Sequence, residues 1–225
     1  MNMKGLAVIG TDHTTRFNQA AAFLRVMADA MPDEFRLNLW RKNPDGNGGV
    51  SIWISKHEIT AGAEWVAESD SDTYVAKAFS DRPYRRFDRM SGDKASALAL
   101  FSLDIDCQMP YRGRKNNLAR NKHHALEIVK GLPVTPQYLI STGGGLQPVF
   151  QSNEPYTFSS AGERLRVVEY SSRFEDAMRS HIWNRHRVLI DQTADLARQI
   201  RMPGSVNQKA GQEVRFLPWP SGWRI

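Results

Sequence analysis

Between positions 101 and 108 the chain reads Phe-Ser-Leu-Asp-Ile-Asp-Cys-Gln, so that apolar Phe101, Leu103, Ile105 and Cys107 alternate with polar Ser102, Asp104, Asp106 and Gln108. A period of two is the mark of a half-buried strand, with one face on a core and the other turned to solvent. Strand side chains repeat every second residue, so Asp104 and Asp106 project from one face, where two ionised carboxylates repel each other. A cation relieves that repulsion. Hard divalent ions such as Mg²⁺ prefer carboxylate oxygens and keep positions open for phosphates, so the pair suggests a phosphate-handling metal site. Taken alone, Asp-x-Asp fits other settings too: a solvated strand face, a set of salt bridges, a sugar transferase that binds a nucleotide sugar through a metal, or a metal nuclease.

The 225 residues, 41% of them hydrophobic, suffice for one large domain or two small lobes. No apolar run approaches the ~20 residues that span a bilayer, and Met1 to Gly10 lacks the longer apolar stretch of a secretory signal, so a cytoplasmic protein without membrane contact is expected. Cys107 is the single cysteine, which excludes an intrachain disulfide, and on the apolar face it reads as a small packing group. His123 and His124 are adjacent but have no companion cluster, which argues against a structural zinc site. The net charge is +6, and Arg and Lys recur in 82–89, 112–122 and 179–187. Such runs suit a polyanionic partner, although solvated helix faces account for them equally well.

Apolar Phe17, Ala20, Ala21, Leu24, Met27 and Ala28 recur at spacings of three and four, predicting a helix from Thr15 to Ala30 with Pro32 beyond its end. Phe35 to Trp40 and Val50 to Ile54 alternate as strands, joined by the turn-forming Asn-Pro-Asp-Gly-Asn-Gly-Gly of 43–49. A further strand is expected in Asp70 to Phe79, and a polar, arginine-rich loop or short helix from Ser80 to Ala95. After the Asp pair come a helix over Asn116 to Lys130, a strand at Tyr138 to Ile140, and another around Val149 and Phe150. Glu163 to Trp183 reads as a helix, Val188 to Ile190 as a strand, and Thr193 to Ile200 as a helix closed by Met202-Pro203-Gly204. The strand, helix, strand, strand, helix, strand order resembles a ferredoxin-like unit.

Two further motifs carry chemistry. Ser141-Thr-Gly-Gly-Gly-Leu-Gln147 joins two apolar strands, and its glycines would let backbone N–H groups approach an anion, although glycine-rich hairpins are more often plain turns. It lacks the Gly-Lys-Ser/Thr end of a P-loop. Asp191 ends Val188-Leu-Ile190 and is followed by Arg198, Arg201, Asn207 and Lys209, a set that can supply a third metal ligand and cations for a triphosphate. Asp191 also fits a helix cap, and Asp195 is a rival ligand whose spacing favours pairing with Arg198.

In their order, Leu-Asp-Ile-Asp, then Ser-Thr-Gly-Gly-Gly-Leu-Gln, then Leu-Ile-Asp with Arg-Gln-Ile-Arg-Met-Pro-Gly-Ser-Val-Asn-Gln-Lys, these segments resemble the three motifs of archaeo-eukaryotic primases and primase-polymerases, especially those of phages, plasmids and mobile elements. The likeness covers about residues 100 to 211. It implies an α+β fold in which an N-terminal α/β lobe, 1–95, packs on an RRM-like (ferredoxin-like) catalytic lobe, 96–225, as one primase-polymerase domain. It implies that Asp104, Asp106 and Asp191 hold two divalent ions, Mg²⁺ or Mn²⁺. Ser141, Thr142, Gly143, Gly144, Gly145 and Gln147, with Arg198, Arg201, Asn207 and Lys209, would then meet the incoming nucleoside triphosphate. Single-stranded DNA template would lie on Arg112, Arg114, Lys115, Arg120 and Lys122, with Tyr111, Trp219 or Trp223 available to stack on bases.

Gln147 departs from the family pattern, which usually has a histidine there, and Thr142 stands where a serine usually precedes the glycines. A glutamine amide donates a hydrogen bond but cannot become a cation. The expected activity is template-directed nucleotidyl transfer by a DNA primase and polymerase, with any helicase acting in trans. The alternatives are a catalytically weakened replication-initiation or single-strand-binding module, and a gap-filling or end-joining polymerase of the same superfamily. A glycosyltransferase or nuclease leaves Arg201 to Lys209 unexplained.

Overall fold

A computed structural model describes residues 12–45, 47–110 and 117–217. Helix α1, His13–Ala30, begins where the Asp12 carboxylate accepts the Thr15 N–H at 2.8 Å. Its predicted face is buried: Phe23, Leu24 and Met27 are fully enclosed, each worth ~1.5–3 kcal/mol of burial. Strands β1, Arg36–Lys42, and β2, Gly49–Ile54, form the expected antiparallel hairpin, and a 3₁₀ turn leads into α2, Ile59–Ala67. Strand β3, Thr73–Ser80, is followed by a loop through 96 with no helix.

The alternating segment divides into β4, Ala97–Ser102, and β5, Ile105–Asp106. Helix α3, Lys122–Lys130, starts later than predicted because Asn121 caps it, accepting the His124 N–H at 2.9 Å. Strands β6, Tyr138–Ser141, and β7, Gly145–Thr157, form a tight hairpin, and the Ser160/Glu163 capping box opens α4, Ala161–His186. Short strands β8, Gln199–Arg201, β9, Val206–Asn207, β10, Gln212–Glu213, and β11, Arg215–Leu217, end the described chain.

Two local expectations need correction. Val188 to Ile190 joins no sheet; it is extended chain whose Val188 and Ile190 drop into the core while the Leu189 N–H goes to the Asn117 carbonyl at 2.8 Å. Thr193 to Ile200 is not a helix. Thr193 is tied down by buried side-chain bonds, and from Gln199 the backbone pairs with β3 instead. Tertiary hydrogen bonds here override local propensity.

Among the described residues nine strands make one sheet in the order β11-β6-β7-β4-β3-β1-β2, with β5 added to β7 and β8 to β3, every strand pairing being antiparallel. Alternate residues feed two cores. Val75, Phe79, Ile140 and Val149 pack with α1 and α2, whereas Ala76, Ala78, Leu139 and Phe150 pack with α3 and α4. The strand and helix order β4-α3-β6-β7-α4-β8 follows the ferredoxin-like sequence, but β8 pairs with β3, so the sheet is continuous across residues 95 and 96. The architecture is α+β. No helix among the described residues is long and apolar enough to cross a membrane.

Candidate active site

Beyond a register shift between Leu98 and Leu100, β4 and β5 share one register against β7: Phe101 pairs with Phe150, Ser102 with Val149, Ile105 with Leu146 and Asp106 with Gly145. The ladder lapses between Ser102 and Ile105 for a chemical reason. The Leu103 N–H donates to the Pro148 carbonyl at 3.2 Å, but proline has no N–H to return. The interruption leaves the register intact, so Asp104 falls across from Gln147. Glycine is required opposite Asp106, because a Cβ on Gly145 would lie 2.3 Å from the Ile105 carbonyl oxygen. Asp104 and Asp106, both partly exposed, open into the same cleft.

That cleft has a volume of about 700 Å³ and is walled by Tyr74, Asp104, Asp106, Thr142, Gln147, Thr193, Arg198, Gln199, Arg201, Asn207 and Lys209. Arg201 is fixed from two sides: it pairs with the buried Asp72 carboxylate at 2.5 Å and its guanidinium lies 5.0 Å from the centre of the Tyr74 ring. Burial holds the Tyr74 hydroxyl pKa above its ordinary value, although Arg201 acts in the opposite direction. Arg198 pairs with Asp195 at 3.5 Å and donates to the Gln192 carbonyl. Asn207 is buried and donates to the Thr142 carbonyl at 2.7 Å, which fastens the 203–209 turn to the glycine hairpin. The turn is also clamped to α1. Gly204 has φ +83°, a Cβ there would meet the Arg16 carbonyl oxygen at 2.2 Å, and the Arg16 side chain donates to the Gly204 carbonyl at 2.9 Å.

Behind the wall lies a buried polar network. Thr193 gives its N–H to Glu175 at 2.6 Å and its hydroxyl to the Ser102 carbonyl at 2.6 Å, and its own carbonyl accepts from the Lys77 ammonium at 2.5 Å. Lys77 is 1% exposed, and burial pushes its pKa down to about 8. The network pins the 193–198 segment against the end of β4.

Of the residues expected at the site, the structure therefore brings together Asp104, Asp106, Thr142, Gln147, Arg198, Arg201, Asn207 and Lys209. It does not bring in Asp191. With Val188 and Ile190 turned inward, the alternating extended segment leaves Asp191 exposed and outside the cleft wall. Ser141 and Gly143 to Gly145 are buried behind Thr142. Gly143, at φ +81°, packs against the 207–212 hairpin, where an added Cβ would lie 3.1 Å from the Gln212 Cβ. Arg120 and Lys122 lie apart from the cleft, exposed at the start of α3, where Lys122 reaches Gln212 at 3.2 Å. Arg112, Arg114, Lys115, Tyr111, Trp219 and Trp223 fall outside the described residues.

Sequence reasoning missed Tyr74, Thr193 and Gln199 in the wall and Asp72 behind it. Tyr74 was accessible in principle, being an outward position on a predicted strand. Gln199 was hidden by the expected helix. Among the described residues no group of three His, Cys, Asp or Glu side chains is gathered to hold an ion. Two oxygen-donor carboxylates beside three cationic side chains are nevertheless the donor set that suits a Mg²⁺-type ion arriving with phosphates, since such an ion is commonly held by one or two carboxylates plus substrate oxygens.

No protein-family model and no curated protein sequence matches the chain. Among solved structures it is similar to the AEP domain of the primase-polymerase of cyanophage S-2L, with a TM-score of 0.53 and 13% identity over 89% of this chain and 88% of that one. A second similar structure is the catalytic domain of primase RepB′ in complex with initiator DNA, at a TM-score of 0.48 and 17% identity over 93% of this chain and 87% of that one. The chain thus shares its fold with the AEP domain of that phage primase-polymerase.

Proposed function

We propose that the chain is a nucleotidyltransferase that extends, and begins, nucleic-acid strands on a single-stranded DNA template, serving the replication of a phage, plasmid or other mobile element. The observation that carries this reading is the assembly, in one cleft of about 700 Å³, of Asp104 and Asp106 with Arg198, Arg201 and Lys209. Carboxylates without cations would suit a metal alone, and cations without carboxylates an anion alone. The combination suits a metal-bound polyphosphate. The primase-polymerase fold of the phage neighbour supports the same chemistry.

In this reading Asp104 and Asp106 hold divalent metal, Mg²⁺ or Mn²⁺. When bound, such a metal stabilises charge on the phosphates and lowers the pKa of an attacking 3′-hydroxyl. The chain's own contribution is positioning. Arg201, locked by Asp72 and Tyr74, presents a fixed guanidinium to the triphosphate. Arg198 and Lys209 add charge where the pyrophosphate leaves, and Gln147 donates from across Asp104 without bringing a charge of its own. Thr193 and Gln199 complete the wall without titrating.

The buried, neutral Gln147 favours one second reading, a weakened enzyme that binds strands and nucleotides but turns over slowly. Incubation with unprimed and primed single-stranded templates separates the cases. Products on both mark a primase-polymerase, products on primed template alone mark a gap-filling polymerase, and no product with retained metal-dependent nucleotide binding marks the weakened module.

A further inference from the structure

Resting on that reading, we propose that the loop spanning 81–94, together with Trp40, is the surface that receives single-stranded nucleic acid beside the cleft. A line of ring and guanidinium contacts leads out of the cleft wall towards it. Arg201 lies 5.0 Å from the centre of the Tyr74 ring, Tyr74 and Trp40 are 5.6 Å apart, and Arg89 lies 4.8 Å from the centre of Trp40. A second cavity of about 310 Å³ opens between Arg89 and Arg198, and Arg198 belongs to both cavities. Asp195 shares this second cavity, paired with Arg198 at 3.5 Å.

The loop is irregular yet anchored. The Arg86 carbonyl accepts the Ser51 N–H at 2.6 Å on the free edge of β2, the Met90 N–H donates to Asn38 at 3.0 Å, and Tyr84 packs on Trp53 at 5.2 Å. It therefore presents its outer side chains in a fixed place. Arg82, Arg85, Arg86 and Arg89 are exposed and have no ion-pair partner among the described residues, while Asp88 is engaged by Lys94 at 3.7 Å. Phe87 stands between them 73% exposed, its ring face open to a stacking partner. Cations interleaved with an open ring fit phosphates plus a base face. In a duplex those base faces are stacked away, so the surface selects a single strand.

The test is fluorescence anisotropy with a labelled oligothymidylate of about 20 nucleotides and with a duplex of equal length, comparing the wild type with the R85A/R86A/F87A variant across a salt series. The variant should bind the single strand at least about tenfold more weakly, and its log-log salt slope should be shallower by about 1.4, as for two lost phosphate contacts. Its melting temperature and its affinity for Mg²⁺-nucleotide should be unchanged. Unaltered strand affinity and slope, a wild-type preference for duplex, or equal displacement by polyglutamate of matched charge would overturn the proposal. The two readings fail separately. A protein that binds strands through this loop yet transfers no nucleotide refutes the catalytic reading alone; a variant with undiminished strand binding and normal transfer refutes the surface alone.

Discussion

Asp104 lies directly across from Gln147, in a register that holds on both sides of the pair from Phe101–Phe150 to Asp106–Gly145. A carboxylate is thus set beside a neutral amide where the resembled family usually has a histidine. In Gln147→His, with Asp104 engaged by the metal, the charge of the bound triphosphate would favour the protonated imidazole near pH 6.5. Nucleotide affinity should then improve by about fivefold to tenfold at pH 6.5, the difference between a neutral and a charge-assisted hydrogen bond. The gain belongs to the protonated form, so it should fade as pH rises to 8.5. Calorimetric titration with Mg²⁺-nucleotide at both pH values checks this, and an affinity unchanged at pH 6.5 places residue 147 away from the phosphates.

Asp72 acts on the cleft through Arg201 and through the Gln208 N–H, which its carboxylate accepts at 3.2 Å beside Lys209. Asp72→Asn keeps the shape and removes the charge that fixes the guanidinium at 2.5 Å. Its KM for nucleotide should rise several-fold with kcat changed much less, and the accompanying Arg201→Lys variant should not restore it, because an ammonium cannot reproduce the planar fork. A fall in kcat with KM unchanged would instead assign Arg201 to the chemical step.

Gly145→Ala tests the close approach of β5 to β7. With only 2.3 Å between an added Cβ and the Ile105 oxygen, β5 must move, at a cost of about 1–3 kcal/mol in stability. Denaturant unfolding measures the cost. Activity should fall further than stability, because the displaced strand carries Asp106.

Lys77 makes stability depend on pH. Its folded pKa of about 8 lies below the ordinary 10.5, so between those values the unfolded chain binds more protons and stability rises with pH. The gap corresponds to about 3 kcal/mol, present in full only above the unfolded value. Unfolding free energies of the wild type and Lys77→Met should therefore differ in slope between pH 8 and 10.5, with the variant flatter. Parallel curves would show that Lys77 is not titrating in the core.

The sequence displayed the period-two segment at 101–108, the face of α1 and the β1–β2 hairpin, because each rests on contacts its own pattern describes. It could not display the break at Leu103, which comes from Pro148 more than 40 residues on. Nor could it show that Thr193 to Ile200 would give up helix for bonds to Glu175, Ser102 and β3. That misreading concealed Gln199, while Asp191 stands exposed and is not among the residues that line the cleft. The glycine triplet was visible as a hairpin; that Gly143 and Gly145 serve close packing became clear only once β5 and the 207–212 hairpin stood against them.

The central claim, that Asp104 and Asp106 make this cleft a metal-dependent nucleotidyl-transfer site, is tested most directly with unprimed single-stranded DNA, Mg²⁺ or Mn²⁺, and ribonucleotides or deoxynucleotides supplied separately. The wild type should form labelled products that EDTA abolishes. Asp104→Asn and Asp106→Asn should each lower the rate by about 10³-fold or more while leaving single-strand affinity and melting temperature near wild type. Wild-type rates in either variant would contradict the account.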